Sequence, residues 1–215
     1  KFTNKDSELI MERLPFKLTK SQKNVLQEIS SDLLSDNRMF RIIQGDVGSG
    51  KTIVSLLSII NVIRSGYQCA FMSPTEILSK QHFELTKKIF KDNNLKIDFL
   101  TGKTENKKRK EILKNLENGK IELLIGTHSL FQKKIKFKKL GLVVIDEQHK
   151  FGVKQRSDLA KKGGNNCDVL LMSATPIPRT MMMSLYGDMD ISKINEKPDK
   201  RKKIITLSKP EKKIN

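Results

Sequence analysis

The 215-residue chain has little cysteine, no long apolar run and a shortage of acidic residues. Its two cysteines, Cys69 and Cys167, belong to no C-x-x-C pair or Cys/His cluster, which argues against a disulfide framework and a zinc site. No apolar run reaches the ~18 residues of a membrane-spanning helix, and the N-terminus lacks the apolar segment of a signal peptide. These absences favour a reduced, cytoplasmic setting.

The chain contains 42 Lys and Arg residues but only 24 Asp and Glu residues, so the formal net charge is +18. This excess favours a polyanionic partner such as nucleic acid, although a compositional drift toward Lys, Asn and Ile would also produce it. Basic residues cluster at 107–110 and at 133–139. In the second cluster, Lys134, Lys136 and Lys138 alternate with Ile135 and Phe137, which as a strand would place the lysines on one face. A solvated face is the simpler interpretation of each cluster.

A glycine-rich run follows the apolar residues 39–43 and precedes a helix-compatible apolar pattern over 53–63. The run consists of Gly45, Asp46, Val47, Gly48, Ser49, Gly50, Lys51 and Thr52. It fits the P-loop pattern, in which backbone N–H groups surround a phosphate, Lys51 brings positive charge and the Thr52 hydroxyl binds Mg²⁺. Because a strand and a helix flank it, the run predicts a nucleotide site rather than a chance turn.

Apolar strands and amphipathic helices alternate through the chain. Thr19 is a predicted helix N-cap, and Gly66 and Gly119 are predicted helix ends. Further strands are expected at 68–72, 96–100, 121–125, 142–145 and 169–172, with helices at 76–90 and 105–117. Nearly continuous apolar strands indicate an α/β fold with a mostly parallel sheet and helices on both faces.

The ends of the chain are less apolar than its middle. We expect one domain over 19–198, with 1–18 leading in from an upstream region and the Lys-rich 199–215 serving as a linker. The missing initiator Met also suggests a piece of a longer protein.

Asp146 and Glu147 directly follow the predicted strand 142–145. At that strand end Asp146 could hold Mg²⁺ and Glu147 could accept a proton from the attacking water. Acidic residues also collect at helix N-termini to offset the helix dipole, but the upstream P-loop favours the nucleotide interpretation. The three histidines, His82, His128 and His149, are too scattered to suggest a metal site.

Small hydroxyl residues follow three other strands, in the segments 73–76, 126–129 and 173–175. The preferred interpretation of each segment is a loop that caps the following helix, with Thr75 and Thr127 as the capping residues of the first two segments. Helix starts rich in N–H groups also suit backbone phosphates. Ser173 and Thr175 could relay hydrogen bonds between a nucleotide pocket and a second site.

Together these motifs resemble the first RecA-like domain of superfamily 2 helicases over nearly the whole chain. The resemblance implies that Gln22 contacts adenine, and that residues 146–149, including His149, form the Walker B box. It implies that Ser173, Ala174 and Thr175 couple ATP turnover to strand movement. It also implies nucleic-acid contacts for Pro74, Thr75, Gly126, Thr127 and His128.

Residues 45–52, 146–156 and 174–180 are more specifically similar to the RecG family of branched-DNA helicases. The Mfd family of transcription–repair coupling translocases shares much of the pattern but usually carries Phe and Glu where this chain has Ser49 and Gln148. The chain departs from the family pattern at Lys150, where Arg is common. Lysine keeps the positive charge but lacks the guanidinium group, which can make two parallel hydrogen bonds.

The resemblance implies a bacterial, nucleoid-associated and monomeric enzyme that uses ATP and Mg²⁺ to translocate on double-stranded, branched DNA during repair and recombination. A wedge domain and a second RecA-like domain, both absent from these residues, would complete it. We therefore expect this chain alone to bind nucleotide weakly and hydrolyse it very slowly. Three alternatives stay open, namely an Mfd-like transcription–repair coupling translocase, a basic DNA-docking module without turnover and an NTPase that acts on protein.

Overall fold

The chain folds as alternating helices and strands. The structure is a computed structural model that describes residues 5–132, 134–146, 167–175 and 189–196. Its helices are α1 (Lys5–Arg13), α2 (Lys20–Leu34), α3 (Lys51–Arg64), α4 (Glu76–Ile89) and α5 (Asn106–Glu117). Its strands are β1 (Phe40–Gly45), β2 (Gln68–Met72), β3 (Ile97–Leu100), β4 (Leu123–Gly126), β5 (Leu140–Ile145), β6 (Asp168–Ser173) and β7 (Asp190–Ile194). None of the helices in these ranges is both long and apolar enough to cross a membrane.

The strands form one sheet in the order β3-β4-β2-β5-β6-β1-β7, and every pair of neighbours is parallel. β2, β4, β5 and β6 are buried along their whole length. Strands buried on both faces need apolar side chains at successive positions, as the sequence of these strands provides. The predicted α/β fold with a parallel sheet is therefore confirmed.

Helices cover both faces of the sheet and create two apolar clusters. In β5, Leu142 and Val144 belong to the cluster that also contains residues of α1, α2 and α3. The alternate residues Val143 and Ile145 belong to the cluster that contains residues of α5. Burying each such side chain stabilises the fold by roughly 1.5–3 kcal/mol before the entropy of ordering is counted.

The predicted helix boundaries rest on local chemistry and agree with the structure. Thr19 caps α2 as expected, and its side chain and that of Gln22 form a reciprocal capping box. Gly66 and Gly119 follow α3 and α5 with φ angles of +84° and +76°. These left-handed conformations suit glycine, so both predicted helix ends are confirmed.

Two elements, α1 and β7, are not predicted by the sequence pattern. Residues 1–18 belong to the less apolar end of the chain, yet α1 within them packs on α3, with Ile10 only 3% exposed and the Ser7 N–H donating to Asn61 Oδ1 at 3.1 Å. The assignment of 1–18 to an upstream region stays a prediction. β7 has a mixed burial pattern, so its sequence carries no strong strand signal, yet it pairs with β1.

The basic cluster at 133–139 does not form the suggested strand, since its described residues, 134–139, belong to no strand. The alternation of burial is nevertheless real. Ile135 is 1% exposed and Phe137 is half-buried, while Lys134, Lys136 and Lys138 are exposed. An irregular segment can alternate in this way when its apolar side chains fill gaps in the core.

Both cysteines are free thiols and fully buried. Burial raises the pKa of the Cys167 thiol to about 12 and that of Cys69 well above its ordinary value. Because the thiolate is the reactive form, native cysteines are expected to react with a thiol reagent at pH 8 at least ~10³-fold more slowly than free cysteine. Absorbance after addition of a disulfide reagent, with and without denaturant, measures this. Rapid labelling of two thiols per native chain would contradict the burial.

Candidate functional site at the strand ends

The sequence-predicted site residues gather at the carboxyl edge of the sheet. Gln44 of β1 is in register with Ser173 of β6, and Met72 of β2 is in register with both Ile145 of β5 and Gly126 of β4. The P-loop and the segments beginning at Ser73, Thr127, Asp146 and Ala174 therefore leave the same edge. In open parallel sheets this edge is where ligands bind.

The P-loop connects β1 to α3 through backbone conformations that favour glycine. Gly48 and Gly50 have φ angles of +78° and +92°. A Cβ at Gly45 would lie 2.6 Å from Ser49 Oγ and 2.9 Å from the Ile194 carbonyl oxygen, and a Cβ at Gly50 would overlap Gln22 Nε2. Residue 45 must therefore be small, and the loop can form the tight turn that directs N–H groups toward an anion.

Lys51 lies at the first position of α3 and is 8% exposed. Its Nζ donates to the carbonyl oxygens of Gly45 at 2.6 Å and Asp46 at 3.1 Å. The ammonium group is thus held within the loop. Phosphate oxygens are stronger acceptors for it than neutral carbonyl oxygens, because they carry negative charge and pair with the ammonium group as an ion pair.

Gln22 connects the start of α2 to the P-loop and is 2% exposed. Its Oε1 accepts from the Thr19 N–H at 2.9 Å, and its Nε2 donates to the Ser49 carbonyl oxygen at 2.7 Å. Both ends of the amide are engaged by backbone. Contact of Gln22 with adenine, which stays a prediction, would require the amide to share or exchange one of these bonds.

Asp146 lies directly after β5 and is 8% exposed. Its backbone N–H donates to the Met72 carbonyl oxygen at 2.8 Å, which extends the β2–β5 ladder by one bond. Its Oδ2 lies 2.8 Å from His82 Nε2. This pairing is not predictable from the sequence, because 64 residues separate the partners and nothing in the sequence around His82 indicates a strand-end contact.

Mg²⁺ suits the donor set at this edge. The Asp146 carboxylate and the Thr52 hydroxyl are hard oxygen donors, the ligand type that Mg²⁺ prefers. Within the described ranges no group of three or more His, Cys, Asp or Glu side chains could hold a metal by itself. An ion here would depend on phosphate and water for its remaining ligands, as Mg²⁺ bound together with a nucleotide does.

Several predicted site residues fall outside the described ranges. They are Glu147, Gln148, His149 and Lys150 of the Walker B segment.

Ser173 and Thr175 are described, and the Ser173 hydroxyl accepts from the Thr175 N–H at 3.2 Å and lies 3.0 Å from Thr175 Oγ1. This hydrogen-bonded turn is the local interpretation that the sequence favoured, and it lies beside the P-loop.

A cavity of about 290 Å³ lies between the P-loop and the ends of β6 and β7. Its lining residues are Gln44, Gly45, Asp46, Ser49, Ala174, Lys193, Ile194, Asn195 and Glu196. The Glu196 carboxylate accepts from the Ser21 N–H at 3.0 Å, and this bond is the main cause that lowers the pKa of Glu196. Since β7 was not predicted, its contribution to this cavity was missed as well.

The predicted nucleic-acid segments lie farther along the same edge. Thr75 caps α4 as expected, its Oγ1 accepting from the Leu78 N–H at 3.3 Å, and Pro74 precedes it. Thr127 does not cap with its side chain, contrary to expectation, and the helix that follows is a 3₁₀ turn of four residues, His128–Phe131. The His128 side chain is exposed. In the described chain, the buried Ser73 hydroxyl has no hydrogen-bond partner.

The family profile for DEAD/DEAH box helicases matches residues 19–184. The chain is 51% identical over 197 residues to the ATP-dependent DNA helicase RecG of Aquifex aeolicus, a match that covers 91% of this chain and 25% of that protein. A solved structure of RecG bound to a three-way DNA junction is similar with a TM-score of 0.83 and 44% identity, over 95% of this chain and 27% of that one. A DEAD-box helicase bound to single-stranded RNA, 20% identical over 89% of this chain and 43% of its own, shares the fold with a TM-score of 0.69.

These similarities confirm the predicted RecA-like fold and the predicted resemblance to RecG helicases. The chain spans about a quarter of the length of the curated relatives that it matches.

Proposed function

Because the chain belongs to the DEAD/DEAH box helicase family, we propose that it is the first RecA-like domain of an ATP-driven DNA helicase. The complete protein would remodel branched DNA, such as stalled forks and Holliday junctions, in the bacterial cytoplasm at the nucleoid. Residues 19–198 would be this domain, 1–18 a lead-in from a wedge region, and 199–215 a linker to a second RecA-like domain. The complete protein would act as a monomer.

The observation that carries the proposal is the arrangement of Lys51, Thr52 and Asp146 at one sheet edge beside a cavity. In this arrangement the P-loop N–H groups and Lys51 would hold the β- and γ-phosphates of ATP. Thr52 and Asp146 would hold Mg²⁺, which neutralises charge that develops on the phosphates. Glu147 would orient or deprotonate the attacking water, and Gln22 would select adenine.

DNA would be contacted at the far side of the same edge, by Pro74, Thr75 and the segment 126–128. Support comes from the N-terminus of α4, which directly follows Thr75 and is the kind of helix start that suits a phosphate, and from the net charge of +18. Residues 173–175 and His149 would pass the state of the nucleotide to the DNA. The RecG structure similar to this chain is bound to a three-way DNA junction, which supports branched DNA as the substrate.

The test measures phosphate release by the complete protein without DNA, with linear duplex and with a three-way junction of equal base composition. We expect the junction to stimulate hydrolysis most. Residues 1–215 alone should be slower than the complete protein by about 10³-fold or more, since an arginine supplied by another domain is worth about 10³–10⁵ in rate. Rapid DNA-stimulated turnover by residues 1–215 alone would contradict the proposal that another domain supplies an arginine to the active site. Absence of any DNA stimulation in the complete protein would favour an NTPase that acts on protein.

A basic DNA-docking module is the second candidate function, favoured by the exposed lysines Lys107, Lys108 and Lys110 at the start of α5. Docking of this kind predicts DNA affinity that falls steeply with salt, without any requirement for nucleotide. Binding measured at several salt concentrations, with and without ATP, separates the two functions. Nucleotide-dependent affinity supports the helicase, and nucleotide-independent affinity in a protein without turnover supports the docking module.

A further inference from the structure

The contact between His82 and Asp146 is short and largely buried. The His82 ring is 11% exposed and so is the Asp146 side chain, and the two meet at 2.8 Å. Phe71 of β2 packs against the imidazole, with ring centroids 4.8 Å apart. An ionised carboxylate can only accept, so His82 Nε2–H is the donor. This hydrogen bond restricts the rotation of a carboxylate that the proposed function assigns to Mg²⁺.

His82 lies on α4, which contacts three strand ends in turn. Glu76 Oε1 accepts from the Thr101 hydroxyl after β3 at 3.1 Å. Ser79 Oγ donates to the carbonyl oxygen of Gly126 at the end of β4 at 3.0 Å. His82 then reaches Asp146 after β5. The i, i+3 spacing places each contact about one turn from the last, and residues 76 and 82 are about 9 Å apart along the helix axis.

The same helix begins at the proposed DNA contact. Pro74 and Thr75 immediately precede α4, and Thr75 caps it. A helix is stiff over two turns, so a displacement of its N-terminus at the strand ends also displaces His82. α4 therefore connects the segment that would hold DNA to the carboxylate that would hold Mg²⁺. The helix is continuous between them, and its side chains are hydrogen-bonded to three strand ends.

We propose that His82 is a positioning residue for the metal ligand Asp146, and that α4 transmits DNA contact at residues 74–75 to the Mg²⁺ site. This inference rests on the proposed function. Because His82 engages Oδ2 of Asp146, Oδ1 would be the oxygen available to the ion. Hydrogen-bond partners that orient metal ligands typically contribute about 10–100-fold to metal affinity or activity, so the contact is large enough to matter.

The experiment titrates Mg²⁺ against binding of a fluorescent, non-hydrolysable ATP analogue to the complete protein. His82→Leu removes the donor and keeps an apolar side chain against Phe71. It is expected to raise the Mg²⁺ concentration for half-maximal binding by about 10-fold. His82→Gln places an amide donor near the original Nε2 and should stay within about threefold of the unaltered protein. If His82→Leu does not fold, His82→Asn replaces it, because its amide is too short to reach Oδ2.

A matched control lies one turn farther along the helix. The buried Thr86 hydroxyl donates to the His82 carbonyl oxygen at 2.6 Å, so Thr86→Val disturbs α4 without touching Asp146. This variant should keep the Mg²⁺ dependence of the unaltered protein. In a second readout, His82→Leu should lower kcat for DNA-stimulated hydrolysis while the DNA concentration for half-maximal stimulation stays the same. Such a split indicates that the variant affects the nucleotide site and not DNA binding.

Asp146→Asn distinguishes failure of the inference from failure of the proposed function. If Asp146→Asn weakens Mg²⁺ dependence and His82→Leu does not, the positioning role is overturned and the proposed function stands. Equal defects in His82→Gln and His82→Leu, or a defect in Thr86→Val as large as that in His82→Leu, would also overturn it. If neither Asp146→Asn nor His82→Leu changes the Mg²⁺ dependence, the positioning role and the proposed function are both overturned.

Discussion

Replacement of Lys51 by Ala is expected to lower DNA-stimulated ATP hydrolysis by the complete protein by about 10²–10³-fold or more. Lys51 is a buried cation of the P-loop, and its Nζ donates to two loop carbonyl oxygens at 2.6 Å and 3.1 Å. In phosphoryl transfer the protein contributes mainly positioning and charge stabilisation. Loss of this cation therefore removes much of the stabilisation of negative charge on the phosphates in the transition state. Steady-state phosphate release at saturating DNA measures the effect.

Lys80→Ala is the matched control, because Lys80 is an exposed lysine of α4 and its loss changes the net charge equally. Its hydrolysis rate should stay near that of the unaltered protein. DNA affinity of the Lys51→Ala variant should also be largely kept, since Lys51 is 8% exposed and offers little charge to DNA. Hydrolysis that persists in Lys51→Ala at the rate of the unaltered protein would contradict the assignment of this loop to ATP hydrolysis.

Gly126→Ala is expected to destabilise the fold by about 3 kcal/mol, from overpacking against backbone that cannot move aside. A Cβ at this position would overlap the carbonyl oxygen of Leu100, its register partner on β3, and would lie 3.3 Å from Leu130 Cδ2. Relief requires separation of β3 from β4 at the site edge. For a chain of this size the melting temperature should fall by roughly 6–12 °C, as measured by circular dichroism.

Gly102 provides the control for that substitution. It lies two residues beyond Leu100, and a Cβ there would meet nothing within 4 Å. Gly102→Ala should therefore leave the melting temperature within about 2 °C, as substitutions away from packed features usually do. Equal melting temperatures for the two variants would show that β3 and β4 tolerate separation, and that Gly126 is not required by packing.

Features with a local physical cause were predictable from the sequence. The P-loop was recognisable because its glycines and Lys51 are needed within a few residues of one another, and the structure gives Gly48 and Gly50 the positive φ angles that such a turn requires. The parallel sheet was predictable because β2 and β5 are buried on both faces and so carry no alternation. The capping box at Thr19 is likewise a local pattern.

Features that depend on distant partners were not predictable. β7 has a mixed burial pattern, in which Ser192 and Ile194 are buried, and it becomes a strand because it pairs with β1 along the edge of the sheet. α1 looks polar because only one side of it is buried, against α3. The suggested strand at 133–139 failed for the opposite reason: its alternation reflects burial of Ile135 without a neighbouring strand to pair with.

By itself, the sequence determined the type of fold and the phosphate-binding loop, because apolar period, turn glycines and capping residues act over a few positions. Tertiary structure alone decided which side chains meet at the sheet edge. It placed β7 beside the P-loop cavity, engaged the Gln22 amide with the loop backbone, and brought His82 to Asp146 across 64 residues. Those contacts depend on strand order and on how α4 lies across the strand ends, which no local pattern encodes.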